Sequence, residues 1–250
     1  MALEQALDLA ERVDARLLLA VSAPLDREDT IGDLPGMEPD PVERAVSDAS
    51  LWRVAPDISA ELPEHAASAA VVCEREQVPC RVFVVHGNVL LRLRALSRLA
   101  DLLVSCCPGP MKGLSLRDGV RLAMTASCPC LFTATEPVAV RKLSALYDGT
   151  PEGAHSLRYA AALCDALNLR IAVTAIGPSR HLLHQRMEEA HVIVVGYHLE
   201  HSVDGLLGLR PSEFPTIAQD EAADIVAGPR SRGLLLAALR TPSLLSLTGY

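Results

Sequence analysis

The chain has 250 residues, half of them hydrophobic and 22% charged, with a formal net charge of −8. That balance is ordinary for a soluble globular protein with a real core. With no long Lys/Arg run it lacks the positive footprint that a nucleic-acid surface needs, which excludes DNA and RNA as expected partners. Aromatic residues make up only 3%, so the interior must be built from Leu, Val, Ala and Ile, as in helices packed on buried parallel strands.

Read from the start, residues 3–13 place Leu3, Ala6, Leu7, Ala10 and Val13 on one helical face. The opening MALEQALDLAER is acidic in its first turns and lacks the basic-then-apolar order of a secretory signal. A continuous apolar strand, LLLAVSA, follows at 17–23, and an acidic, proline-bearing stretch over 24–65 reads as loop. A helix is predicted from Glu64 to about Gln77, a strand at 81–86 and a helix from Asn88 to Leu99, with Asn88 as its N-cap. A buried strand at 100–106, a Gly/Pro loop to Gly113, a helix near 115–127 and a strand at 130–135 complete the first half.

The second half repeats this grammar. A strand at 143–147 ends in the turn signal Asp148-Gly149-Thr150-Pro151. The helix at 154–167 carries Leu157, Ala160, Ala161, Cys164 and Leu167 on one face. Strands are expected at 169–176 and 191–196 with a short helix between them, then a long loop from Tyr197 to Pro211. A helix near 212–222, the strand ADIVAG at 223–228, a helix near 234–240 and a strand at 243–248 end the chain. No apolar run approaches the ~18 residues of a membrane span. The tail LLLAALRTPSLLSLTGY comes nearest, but Arg240 and Pro242 interrupt it. A cytoplasmic protein without a membrane partner is expected.

Three segments recur in the same order. LLLAVSA at 17–23 matches LRIAVTA at 169–175, ADLLVS at 100–105 matches ADIVAG at 223–228, and SCPCLFTAT at 127–135 matches RTPSLLSLT at 240–248. Such order argues for internal duplication. Helices alternating with apolar strands predict an α/β fold of parallel sheets with right-handed crossovers. Ligands in such sheets bind beyond the carboxyl ends of the strands. The loops to search are therefore 23–26, 105–113, 148–151, 176–179 and 228–233.

At these loops the chain resembles a tandem universal stress protein. LYDGTPEGAHSLRYAAAL at 146–163 resembles that family's first strand, turn and first helix, and ADIVAGPRSRG at 223–233 its fourth strand and following loop. VVHGNVLLRLRALSRLADLLV at 84–104 resembles its third strand, third helix and fourth strand. The resemblance covers most of 1–23, 66–135 and 142–250 and implies two Rossmann-like units, 1–136 and 141–250. Each would hold a five-stranded parallel sheet whose first strand lies between the second and the fourth. It also implies that units pair around their last strands, within the chain or in a homo-oligomer, and that the protein is either ATP-binding or nucleotide-free. In ATP-binding members an Asp closing the first strand holds the adenine side, and G-x-x-G, with a later G-[ST], cradles ribose and phosphates. Glycines there let backbone N–H groups approach phosphate, and a helix N-terminus adds a favourable dipole.

Carried onto this sequence, Asp148 matches that Asp, with Gly149 beside it, and Gly228 matches the leading loop glycine. Ser231 stands at the second glycine's position, with Gly233 close by and Arg230 and Arg232 on either side of the serine. Thr241-Pro242 replaces the final glycine. The first unit departs further: its loop reads SCCPGPMKG, with Ser105 or Cys106 in the leading position, and it has no first strand. Either the coding start lies upstream of Met1 or another segment fills the gap.

Each motif also has a plain reading. Asp148 before Gly-Thr-Pro is a turn former as much as an adenine contact, and Arg230 and Arg232 fit a solvated turn as well as an anion site. His181, His184, His191, His198 and His201 would need three or four to converge for zinc, no H-E-x-x-H is present, and a partly exposed, pH-sensitive surface is the simpler reading. Seven cysteines, in mostly apolar surroundings, read as small buried hydrophobes rather than a disulfide framework, with Cys106-Cys107 and Cys128-Pro129-Cys130 as redox alternatives. DGLLGLRP at 204–211 mimics a phosphate loop without its Lys-Ser/Thr end. G-x-S-x-G is absent, and no general base or metal carboxylate pair marks the loops. The expectation is thus a binding protein rather than an enzyme. It is either a stress-response protein sensing an adenine nucleotide through its second unit, or a nucleotide-free dimerising scaffold.

Overall fold

The structure, a computed structural model, describes residues 2–22, 64–85, 89–106, 115–133, 139–231, 234 and 244–248. The loop expected over 24–65 lies almost wholly outside these residues, as do most of the 105–113 loop, Arg232, Gly233 and all but Leu234 of the helix expected near 234–240. Backbone contacts divide the chain into two compact units, Ala6–Ala100 and Asp101–Tyr250 together with Met1–Gln5.

In the smaller unit, β1 (Leu17–Ser22) and β2 (Cys80–Val85) form a parallel pair in the register Leu17↔Cys80 to Ser22↔Val85. Helix α1 (Ala2–Arg12) buries Leu7, Leu9 and Ala10; Val13, expected on that face, falls past the helix end and is exposed. Helix α2 (Glu64–Arg75) buries Ala70 and Cys73. The Val78 N–H donates to the Cys73 carbonyl at 3.0 Å, turning the helix end into β2. The Cys80 thiol also lies buried, and its hydrogen bond with Cys73, helped by burial, pushes the Cys73 thiol up. Helix α3 (Val89–Leu96) follows.

The larger unit contains β3 (Leu103–Cys106), α4 (Leu116–Thr125), β4 (Cys130–Thr133), β5 (Lys142–Tyr147), α5 (Pro151–Leu167) and β6 (Arg170–Gly177). It continues with α6 (Arg180–Val195), β7 (His201–Leu207), α7 (Phe214–Asp220), β8 (Ile225–Pro229) and β9 (Leu244–Thr248). One seven-stranded sheet runs in the order β3-β4-β9-β8-β5-β6-β7. Every neighbouring pair is parallel except β4 and β9, which are antiparallel, with Cys130 opposite Leu247. The order β9-β8-β5-β6-β7 places the strand at 142–147 between the next strand in sequence and the strand at 225–229, as the resemblance implied. The antiparallel join is between the last strands of the two halves. Among the described residues no strand takes the part of β5 in the first half: β3 pairs only with β4, and β1 only with β2.

Local chemistry explains the central elements. Leu143, Ala145 and Leu146 of β5 are almost wholly buried, as expected of a strand covered on both faces. The Asp224 Oδ2 accepts the N–H groups of Arg141 and Lys142 at 2.8 and 3.0 Å and so fixes where β5 begins. Helix α5 starts with Thr150 as N-cap and Pro151 in its first turn, and ends on Asn168 in the left-handed conformation at φ 52°. All five residues expected on its apolar face are buried.

Two expected elements are corrected. Residues 191–196 are not a strand: α6 runs through them to Val195, burying Ala190 and Val194 while Val192 is 72% exposed. The β-branched run HVIVV was read by propensity, and packing against the sheet overrides it. The third strand of this half is instead β7, inside the expected loop 197–211. As an edge strand paired only with β6, it alternates half-buried and exposed residues rather than showing a continuous apolar run.

Candidate functional site

The turn after β5 is built tightly. Asp148 Oδ1 accepts from the Thr150 N–H at 3.1 Å and from the Thr150 hydroxyl at 2.6 Å, while Thr150 Oγ1 accepts from the Gly153 N–H at 3.0 Å. A Cβ at Gly153 would collide with Asp148 Oδ1, so the carboxylate lies directly on the first turn of α5, favourably placed for the helix dipole. Gly149 takes φ +74°, a conformation that side chains with a Cβ adopt at a cost.

Sequence reading missed what covers this turn. Arg186, on the first half of α6, lies against Gly149, where an added Cβ would strike its Nε. Its Nη1 donates to the Ile176 carbonyl at 2.6 Å, so the guanidinium spans the carboxyl ends of β5 and β6. Three residues around it complete a polar cover. The Tyr147 hydroxyl donates to Glu189 Oε2 at 2.8 Å, and Gln185 Nε2 donates to Glu189 Oε1 at 2.9 Å. Burial, then the Glu189 bond, pushes the Tyr147 hydroxyl up to about 12. The same bond, with Gln185 and the nearby Arg186, lowers the Glu189 carboxyl. The usable signal was topological: a crossover helix leaving the second strand begins at the carboxyl edge, so its first turns overhang that edge.

The loop after β8 is organised differently. A Cβ at Gly228 would collide with the side chain of Leu234, which is fully buried, so the space this glycine leaves open is taken by packing. Arg230 reaches across to the first half, donating from Nη1 to the Ala126 carbonyl and from Nη2 to the Cys128 carbonyl, each at 2.8 Å. Its Nε is buried without a partner among the described residues. Ser231 Oγ accepts from the Leu234 N–H at 3.2 Å in the manner of an N-cap. Because β5 and β8 are parallel neighbours, with Ala145 opposite Ala227, Asp148 and Gly149 emerge from the sheet beside Gly228, Arg230 and Ser231.

Cys128 and Cys130 are buried, and burial pushes their thiols up to about 11 and about 12, which removes the thiolate that redox chemistry needs. Cys164 is raised by burial to about 12 as well. His184 faces Glu188 at 3.2 Å on an exposed helix face, and the His191 and His201 rings sit 5.3 Å apart. Among the described residues no group of three or more His, Cys, Asp or Glu could hold a metal ion. In DGLLGLRP, Asp204 to Leu207 are strand β7, and Gly208 at φ +72° is the turn after it. No helix among the described residues is long and apolar enough to cross a membrane.

The strand order β9-β8-β5-β6-β7 reverses direction between β5 and β8, which places the topological switch point of this α/β sheet at the ends of those two strands. Comparison with solved structures identifies the fold as that of the universal stress proteins. A universal stress protein from Archaeoglobus fulgidus DSM 4304 superimposes with a TM-score of 0.64 at 13% identity, over 98% of this chain and 89% of that one. A candidate universal stress protein from Pseudomonas aeruginosa UCBPP-PA14 gives 0.58 at 14% identity, over 95% and 94%. A protein of unknown function from Pseudomonas aeruginosa PAO1 gives 0.55 at 14% identity, over 95% and 93%. No family model and no curated protein matches the sequence.

Proposed function

We propose that this chain is a cytoplasmic stress-response binding protein made of two duplicated units, 1–136 and 141–250, and that its second unit senses an adenine nucleotide, ATP being the first candidate. One observation carries the reading: the turn at Asp148–Gly149 and the loop at Gly228–Ser231 leave neighbouring parallel strands side by side. A nucleotide there would meet Asp148 and Gly149 at one end. At the other it would meet Gly228, Ser231 and the segment that continues through Arg232 and Gly233. The reading assigns no catalytic residue and no metal. Mass spectrometry of small molecules released from purified protein tests it: retained adenine nucleotide supports it, and consistent absence across preparations counts against it.

A second reading, a nucleotide-free scaffold that keeps the fold for pairing, draws on a specific observation. Arg230 is committed to the carbonyls of Ala126 and Cys128, and Leu234 fills the space at Gly228, so this loop works as a joint between halves. The pairing of last strands within one chain, β4 with β9, suits the same role. Under this reading a further copy of the chain is a partner, and nucleotide is not.

A further inference from the structure

We infer that Arg186 is a built-in occupant of the ligand edge, and that a nucleotide reaches the Asp148–Gly149 turn only after this side chain withdraws. The inference rests on the reading of this edge as a nucleotide site and concerns its regulation. The guanidinium lies against Gly149 and is held at Ile176 O, so it covers the backbone at the ends of both β5 and β6. A planar group with several N–H donors, bonded to a strand-end carbonyl and set against a glycine, takes space and an acceptor that a bound base would use there.

Two features make the occupant displaceable rather than structural. Arg186 is only half-buried, and its anchor among the described residues is one hydrogen bond to a backbone carbonyl. Arg230, by contrast, has two such bonds and a buried Nε. The neighbouring carboxylate makes its hydrogen bonds elsewhere: Glu189 accepts from Tyr147 and Gln185 and acts on Arg186 only by through-space attraction. Titratable and charged groups facing it are Tyr147 and Asp148 from β5 and its turn, and Glu189 from α6 itself. An apparent affinity is lowered by the fraction of protein whose site is closed, so removing the occupant raises it.

The sign of the effect separates this role from an ordinary anion contact. Deleting a cation that binds phosphate weakens ATP binding, whereas deleting a plug strengthens it. Isothermal titration calorimetry of the whole chain with ATP and with adenosine compares wild type, Arg186→Ala and Arg186→Met. Arg186→Ala is expected to bind both at least tenfold more tightly. Arg186→Met, which keeps the stem and loses the donors, is expected to fall between. Circular dichroism and thermal unfolding confirm that each variant is folded. If wild type binds and Arg186→Ala binds equally or more weakly, the gate is overturned and the site stands. If neither protein binds either ligand, the site reading fails and takes the gate with it.

Discussion

The turn after β5 and the loop after β8 lie at the ends of neighbouring strands, yet what fills them differs in kind. At Asp148–Gly149 the occupant is a half-buried arginine with one anchoring bond to a carbonyl, beside a network that joins the buried Tyr147 to Gln185 and Glu189. At Gly228–Ser231 the occupants are a fully buried leucine and an arginine clamped on two carbonyls 102 and 104 residues away in sequence. Under the gate inferred for Arg186, the first arrangement opens when one bond is broken. The second ties the halves of one sheet together, and opening it exposes core and strands two backbone acceptors. A single fold edge thus carries a singly anchored side and a fixed side.

The contrast is broken most directly on the fixed side. Arg230→Ala is expected to destabilise the folded chain by about 3 kcal/mol, because charged hydrogen bonds are lost and two carbonyls are left without their donor. Urea unfolding measures this, and a change below about 0.5 kcal/mol would make Arg230 a surface residue in effect. Next, Gly228→Val forces a side chain into the space held by Leu234, an overpacking cost of about 2 kcal/mol, and should abolish retained nucleotide. Unchanged retention would show that the ligand uses another loop. On the Asp148–Gly149 side, Thr150→Ala removes the N-cap of α5 and is expected to cost about 1 kcal/mol, with the midpoint shift in urea as readout.

The smallest effect is a pH dependence. Tyr147 holds its proton in the folded chain up to about 12, against an ordinary value of 10.0. Between those two pH values the folded state binds more protons than the unfolded one, so stability falls as pH rises through that window. Tyr147→Phe should make this alkaline loss shallower. An unchanged slope would mean that burial and the Glu189 bond do not hold the Tyr147 proton in solution.

Much of the fold was legible because buried parallel strands and capped helices leave strong local marks. LSALY, LRIAVTA and ADIVAG are largely apolar runs, and the helix expected at 154–167 is present but begins one turn earlier, at Pro151 behind the Thr150 N-cap. The edge strand β7 was hidden because one free edge and half-exposed faces let His201, Ser202 and Asp204 interrupt the pattern, while HVIVV advertised a strand that packing made helical. At the candidate site, the positions of Asp148, Gly149, Gly228, Arg230 and Ser231 followed from the strand ends. What fills the edge did not: Arg186 and Leu234 arrive from other segments, and only three-dimensional packing shows that Arg230 reaches back to Ala126 and Cys128. Arg232 and Gly233 lie outside the described residues.

Backbone amide spectra of the isotope-labelled chain titrated with ATP test the central assignment most directly. The amides of Asp148, Gly149, Ile176, Gly228 and Ser231 are expected to shift together and to saturate at one common midpoint. Shifts confined to other loops, or a spectrum unmoved at millimolar ATP, would contradict a nucleotide site between the ends of β5 and β8.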